Sequence, residues 1–295
     1  MPLEAIGKLT ESARQGGYAL GYFESWSIDS LQGVIDAAEE ARAPIIIGFN
    51  GEFLCRPERR APERLSWYAA LGAAAAKTAK VPCGFIFNEC PNDEWVQKAA
   101  MAGFNLVMLA DPGASYEDYE RRVTKLAAHA HRNGAAIEAE VGTLPSGVHG
   151  NLNSNNSMTD PETAARFVSA TNIDLLAVSV GNVHIKLDGF EKLDIERLEQ
   201  IQRRVKIPLV LHGGTGIAAD SLREAIKRGV VKVNFGTYLK LRYISAIRTT
   251  LKDDVINPHE LLGMGGEHDL MIVGRQAVRE AVLERIEFLG CCGKA

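Results

Sequence analysis

Eight short apolar runs recur along the chain, separated by longer segments whose apolar positions return every three or four residues. The runs are YALGYF (18–23), APIIIGFN (43–50), VPCGFIFN (81–88), FNLVMLA (104–110), AAIEAEV (135–141), DLLAVSVG (174–181), IPLVLHGG (207–214) and VVKVNFGT (230–237). Between them, SIDSLQGVIDAAEEAR, SYEDYERRVTKLAAHAHRNG, DIERLEQIQRRV and DSLREAIKRG carry the helical period. Ser27, Asp111, Thr159 and Asp220 stand near predicted helix starts, and Gly134 and Gly229 follow predicted ends. Runs too apolar to alternate, joined through helices, predict parallel strands covered on both faces. Eight such units predict an α/β fold, a (β/α)8 TIM barrel forming one domain over 1–295. The alternative is an open doubly wound sheet, but the nearly even spacing favours closure. A further apolar stripe at about 272–289 predicts a C-terminal helical extension.

In such a barrel, chemistry belongs to the C-terminal ends of the strands and the loops that follow. Glu24, Asn50, Asn88, Glu89, Asp111, Glu138, Glu140, Asn182, His184, His212, Asn234 and Thr237 occupy those positions. Only His184 and His212 of the seven histidines fall there, after consecutive strands six and seven. Two imidazoles on neighbouring tips suit zinc or a similar ion, with Glu89 or Glu140 completing the set. A lone histidine is more often structural, but a pair at this face changes the odds.

The stretch HGGTGI (212–217) follows strand seven, and glycines there let successive backbone N–H groups approach an anion. Gly213, Gly214 and Thr215 are therefore phosphate-turn candidates, with Asn234 and Thr237 of NFGT on the next strand as the opposite wall. A tight turn that simply needs glycine is the bland alternative. Residues 142–160 form a long polar loop that reads as a lid, and His149 within it could reach the site. Glu138 and Glu140 share one face of strand five and point inward, Glu140 nearer the mouth. Their bland reading is a polar network inside the barrel, which a buried carboxylate requires.

Composition narrows the setting more than the chemistry. The 295 residues are 46% hydrophobic, enough for a sizeable core. A net charge of −4 argues against a nucleic-acid partner. Cysteines 55, 83, 90, 291 and 292 lack metal-finger spacing and read as reduced thiols. No signal-like stretch opens the chain and no apolar run reaches the ~20 residues of a membrane span, so a soluble cytoplasmic protein is expected.

Taken in order, AEVGTL at 139, MTDPETAARFV at 158, LDIERLEQI at 193, LVLHGGTGI at 209, IKRGVVKVNFGT at 226 and the tail VLERIEFLGCCGKA resemble the class II, metal-dependent fructose-bisphosphate aldolase family. The resemblance covers nearly the whole chain. It implies a divalent metal, Zn2+ foremost with Mn2+ or Co2+ possible, that polarises a ketose phosphate carbonyl and stabilises an enediolate. It places His184 and His212 among the metal ligands and Glu140 close by. Gly213, Gly214 and Thr215 match the phosphate turn, and Asn234 and Thr237 match part of the strand-eight wall. A homodimer or tetramer is also implied, as is a basic residue of the C-terminal helix near the site, for which Arg275 and Arg279 are available.

Departures from the family pattern are as informative. The usual His-Leu-Asp-His-Gly after strand three reads Ile86, Phe87, Asn88, Glu89, Cys90, so the catalytic aspartate becomes Asn88 and a metal histidine becomes Glu89. An amide cannot take up a proton, whereas two histidines and a glutamate form a known catalytic zinc set. The acidic lid motif is absent, the strand-eight aspartate position is Gly236, and Glu24 adds a carboxylate where Asn is common. The expected metal ligands are thus Glu89, His184 and His212. Glu24, Glu140 or His149 would replace the missing proton carrier, and Asn88 would hydrogen-bond substrate. The expected function is a divergent aldolase acting on a sugar or sugar phosphate other than fructose 1,6-bisphosphate. An isomerase or epimerase on the same scaffold, or an inactive sugar-phosphate-binding protein, are the alternatives.

Overall fold

The computed structural model describes residues 3–144, 158–183, 189–251 and 257–295. Eight parallel strands close into a barrel in strict sequence order: β1 (Leu20–Ser25), β2 (Ile45–Asn50), β3 (Cys83–Cys90), β4 (Leu106–Leu109), β5 (Ala136–Val141), β6 (Leu175–Val178), β7 (Leu209–Leu211) and β8 (Val230–Phe235). Closure is direct, with β1 pairing β8 through Leu20 and Lys232, and Tyr22 and Asn234. The α/β class, the TIM barrel and the C-terminal helix are as the sequence predicts.

Twelve helices surround the barrel among the described residues: α1 (Ile6–Gly16), α2 (Ile28–Ala41), α3 (Gly51–Leu54), α4 (Leu65–Thr78), α5 (Asp93–Met101), α6 (Tyr116–Arg132), α7 (Pro161–Thr171), α8 (Ile195–Arg204), α9 (Ala219–Ile226), α10 (Thr237–Thr250), α11 (Pro258–Leu261) and α12 (Leu270–Leu289). Local chemistry sets several of their starts. Ser27 and Ser30 close a capping box at α2, and Asp160 caps α7 ahead of Pro161. Asp111 does not start α6; Ser115 caps that helix, and Asp111 instead pairs with Arg122 at 2.6 Å.

The helix-facing side of the sheet is apolar and aromatic, with Phe104 stacked on Phe85 and edge-on to Phe87. The inner side of the mouth differs: Glu138, Lys232 and His212 are fully buried there. Helix α12 lies on α2, where Arg275 pairs with Asp36 and Arg279 with Glu40. Within this chain these pairs hold both arginines against α2. No described helix is long and apolar enough to cross a membrane.

Candidate active site

Side-chain alternation on β3 sends Phe85 and Phe87 toward the helices and Asn88 inward. Continued alternation would turn Glu89 outward. Instead Glu89 adopts a left-handed φ of 50°, and the β3–β4 register slips between Phe87 and Cys90. A bulge of this kind re-aims the side chain that follows it. Glu89 Oε1 thereby comes 3.0 Å from His212 Nδ1, while Asn50 Nδ2 donates to Glu89 Oε2 at 2.7 Å.

His212 stands directly after β7 and is completely buried. Asn182 donates to its backbone carbonyl at 3.0 Å. Its Nε2 lies 2.9 Å from Glu138 Oε1, and Glu138 Oε2 lies 2.8 Å from Lys232 Nζ. Lys232 also donates to Asn234 Oδ1 at 2.6 Å, with its ammonium 5.4 Å from the centre of the Tyr22 ring. Asn50, Glu89, His212, Glu138, Lys232 and Asn234 therefore form one continuous polar chain across the barrel mouth.

The chain of contacts sets the protonation of its members. Burial works to lower the His212 pKa, but Glu138 and Glu89 outweigh it and push it up to about 10. Burial disfavours the Glu138 charge too, yet Lys232 and His212 hold it below the ordinary carboxylate range. Lys232 is pulled down by burial, with Glu138 opposing. At the end of β1, burial holds Glu24 above the ordinary range while Lys240 opposes and Glu89 adds repulsion.

Donor chemistry fits a cation between Glu89 and His212. In the neutral imidazole with Nε2–H directed at Glu138, Nδ1 would present a lone pair toward a carboxylate that also offers only lone pairs. A proton fills that gap when His212 is charged, and a metal ion is the other species that can. Glu138, on the far nitrogen, fixes the tautomer as carboxylates behind metal-bound histidines do. Among the described residues no three His, Cys, Asp or Glu side chains converge as a full ligand set. His184, the expected third ligand, and His149 lie outside the described residues.

Glu140 faces inward from β5 as expected and acts on the His212 charge. Tyr119 from α6 accepts a hydrogen bond from its backbone N–H at 3.2 Å. Asn88 is buried, and its Oδ1 has no partner among the described residues; the same holds for Asn234 Nδ2. An acceptor on β3 and a donor on β8 are thus left for a ligand.

The Gly213 to Gly216 turn rests on β8. Gly213 is left-handed at φ 67°, and a Cβ on Gly214 would lie 2.6 Å from Val233 Cγ1 and 2.7 Å from Phe235 Cε1. Glycine at 214 is what lets the turn approach the strand. Glu191 straps it from outside, donating from its backbone to Gly216 at 2.7 Å. Thr215 and Thr237 are half-buried beside it, Thr237 opening α10.

One member of the polar chain escapes a reading of strand tips alone: Lys232, which acts here as the partner of Glu138 and Asn234. Lys232 carried a signal, a charge inside the apolar strand VVKVNF, which burial makes untenable without a carboxylate opposite. Glu138 matches the bland reading of an interior polar network.

Similarity to known proteins agrees with this fold. The family described as fructose-bisphosphate aldolase class-II matches residues 4–294. The fructose-bisphosphate aldolase of Staphylococcus epidermidis is 28% identical over 301 residues, covering all of both chains. The crystal structure of the YdjI aldolase from Escherichia coli K12 superposes with a TM-score of 0.80 at 30% identity, covering 99% of each chain. A fructose-bisphosphate aldolase structure from Campylobacter jejuni shares the fold, with a TM-score of 0.77 at 22% identity over 98% of this chain and 94% of that one. With its barrel, its buried strand-seven histidine and a match over nearly its full length, the chain belongs to the class II fructose-bisphosphate aldolase family.

Proposed function

We propose that this protein is a metal-dependent carbon–carbon lyase acting on a phosphorylated sugar other than fructose 1,6-bisphosphate. The observation that carries the reading is the approach of two metal-ligating groups, Glu89 Oε1 and His212 Nδ1, to 3.0 Å, with the far imidazole nitrogen held by Glu138. Glu89 and His212 would hold the ion, with His184 as the third ligand by family resemblance. When bound, Zn2+, Mn2+ or Co2+ supplies Lewis acidity toward a ketose carbonyl.

The remaining duties fall to the chain itself. Backbone N–H groups of Gly213 and Gly214 and the Thr215 hydroxyl take the phosphate, with Thr237 beside them. Asn234 Nδ2 donates to a substrate oxygen. Asn88 Oδ1 accepts from a substrate hydroxyl but cannot remove its proton. Glu140 receives that proton, and His149 in the strand-five loop carries the carbon-bound one. The altered strand-three pair, the missing acidic lid and Gly236 support a substrate other than the bisphosphate. Assembly into dimers or tetramers belongs to the same reading, and the apolar Leu241 and Ile244 exposed on α10 support it.

Metal analysis of the purified protein, paired with product analysis, tests this. Stoichiometric divalent metal, lost in Glu89→Ala and His212→Ala, together with new carbon–carbon bonds from dihydroxyacetone phosphate and an aldehyde, is the expected result. Metal with rearranged but uncleaved carbon skeletons would make it an isomerase. Protein that takes up no metal yet binds a sugar phosphate would overturn the enzymatic reading.

A further inference from the structure

Gly236 has no side chain, and the carboxylate of Glu24 fills the space one would take. A Cβ built on Gly236 would lie 2.2 Å from Glu24 Oε2. The backbone there has φ −131°, so no left-handed conformation demands glycine. The demand comes from Glu24. Its other oxygen is held by Lys240, one turn into α10. The Lys240 ammonium sits 4.2 Å from the centre of the Phe53 ring on α3 and 5.9 Å from that of Trp26. Glu24 is only 7% exposed, while the Lys240 side chain retains 32% exposure and Phe53 37%. One buried carboxylate is thus pinned beneath an accessible ammonium and an accessible ring, bridging the tips of β8, β1 and β2.

Glu24 and Phe53 place this cluster on the β1 and β2 side of β8, whereas the glycine turn lies on its β7 side. Its charges are internally matched: Lys240 with Glu24, and nearby Arg56 with Glu52 at 2.7 Å. Among the described residues Lys240 is already paired with Glu24 and Arg56 with Glu52, so a phosphate dianion placed here would face Glu24. A hydroxyl can donate to the carboxylate and accept from the ammonium, and a carbon-bound hydrogen face packs on an aromatic ring.

We propose that Glu24, Lys240 and Phe53 form the subsite for a hydroxylated, unphosphorylated end of the aldehyde substrate, with Gly236 as the positioning residue that admits Glu24. This rests on the lyase reading above and deepens it: the substrate carries one phosphate, at the glycine turn, and a polyol at the other end.

The test begins with wild-type enzyme, dihydroxyacetone phosphate and three acceptors: erythrose, erythrose 4-phosphate and propionaldehyde. Erythrose should exceed both others at least tenfold in kcat/KM. Lys240→Met and Gly236→Ala should each reduce the erythrose-to-propionaldehyde ratio at least tenfold, mainly through KM for erythrose. Gly236→Ala should add nothing in a Glu24→Ala background, because its effect runs through Glu24. A preference for the phosphorylated acceptor, or equal losses on all three acceptors, overturns the proposal. Solvent-deuterium exchange into dihydroxyacetone phosphate by the wild type reports separately on the central site. If neither exchange nor turnover occurs the lyase reading fails, and saturation-transfer NMR with xylitol then decides the subsite. Xylitol contact in wild type that is lost in Lys240→Met sustains it, and absence of contact in wild type removes it.

Discussion

Glu89 Oε1 lies 3.0 Å from His212 Nδ1 because one residue of β3 leaves the extended region. A non-glycine residue held in the left-handed region costs about 1–3 kcal/mol, and the contacts of Glu89 to His212 and Asn50 offset that cost. Strain concentrated at the end of β3, beside the buried histidine, is where a binding function would place it.

The protonation of His212 gives the first prediction. Its folded pKa, about 10, is raised above the unfolded imidazole value, so the stability it contributes is complete below the unfolded value and is lost as pH rises through about 10. Metal-free protein should lose thermal stability steadily from pH 7 to 10.5, and Glu89→Gln should flatten that decline. Because an ion must displace this proton, metal affinity should rise about tenfold per pH unit below pH 10. Differential scanning calorimetry and competitive chelator titrations read both effects.

Lys232 is fully buried against Glu138, so its removal strands a carboxylate in the barrel interior. Lys232→Met should destabilise the fold by about 3–5 kcal/mol. Urea unfolding measures the loss, and a double variant that also carries Glu138→Gln should recover part of it.

Asn88 marks the position where proton transfer is missing from the side chain itself. Restoring a carboxylate with Asn88→Asp should raise the rate of aldol cleavage at least tenfold, within the roughly 10²–10⁴-fold range of general acid–base catalysis. Steady-state kinetics on the substrate identified by product analysis checks it. A fall in rate would assign Asn88 an essential hydrogen bond instead.

The glycine turn is packed onto β8 with no room for a methyl group at 214. Gly214→Ala should cost about 1–3 kcal/mol through overpacking and weaken phosphate binding more than it weakens the fold. Inorganic phosphate titrations followed by NMR, beside a thermal melt, separate the two.

Much of this site was legible along the chain, and the reasons differ residue by residue. Eight strands were readable because a parallel strand covered on both faces must be apolar throughout, and runs such as PIIIGF satisfy nothing else well. His212 and the glycine turn were readable because they directly follow such a run. The partners of Arg275 and Arg279 were not readable, since a basic residue on a helix does not reveal which neighbour it meets; here both meet acids of α2. Asp111 stands near the start of α6 without capping it, because a cap is defined by one hydrogen bond and Ser115, four residues on, makes it.

What the sequence determined by itself is the alternation of strand and helix, the edge of the barrel that bears chemistry, and the substitutions at Asn88, Glu89 and Gly236 that set this chain apart from its family. These follow from periodicity and residue type, which are local. Only the tertiary structure decided that Glu89 turns inward, that Lys232 neutralises Glu138 behind His212, and that Glu24 occupies the space above Gly236. Each of those joins residues far apart in the chain, through a bulge, a buried charge pair or a missing side chain. Such relations depend on distances across a closed barrel, and no local pattern encodes them.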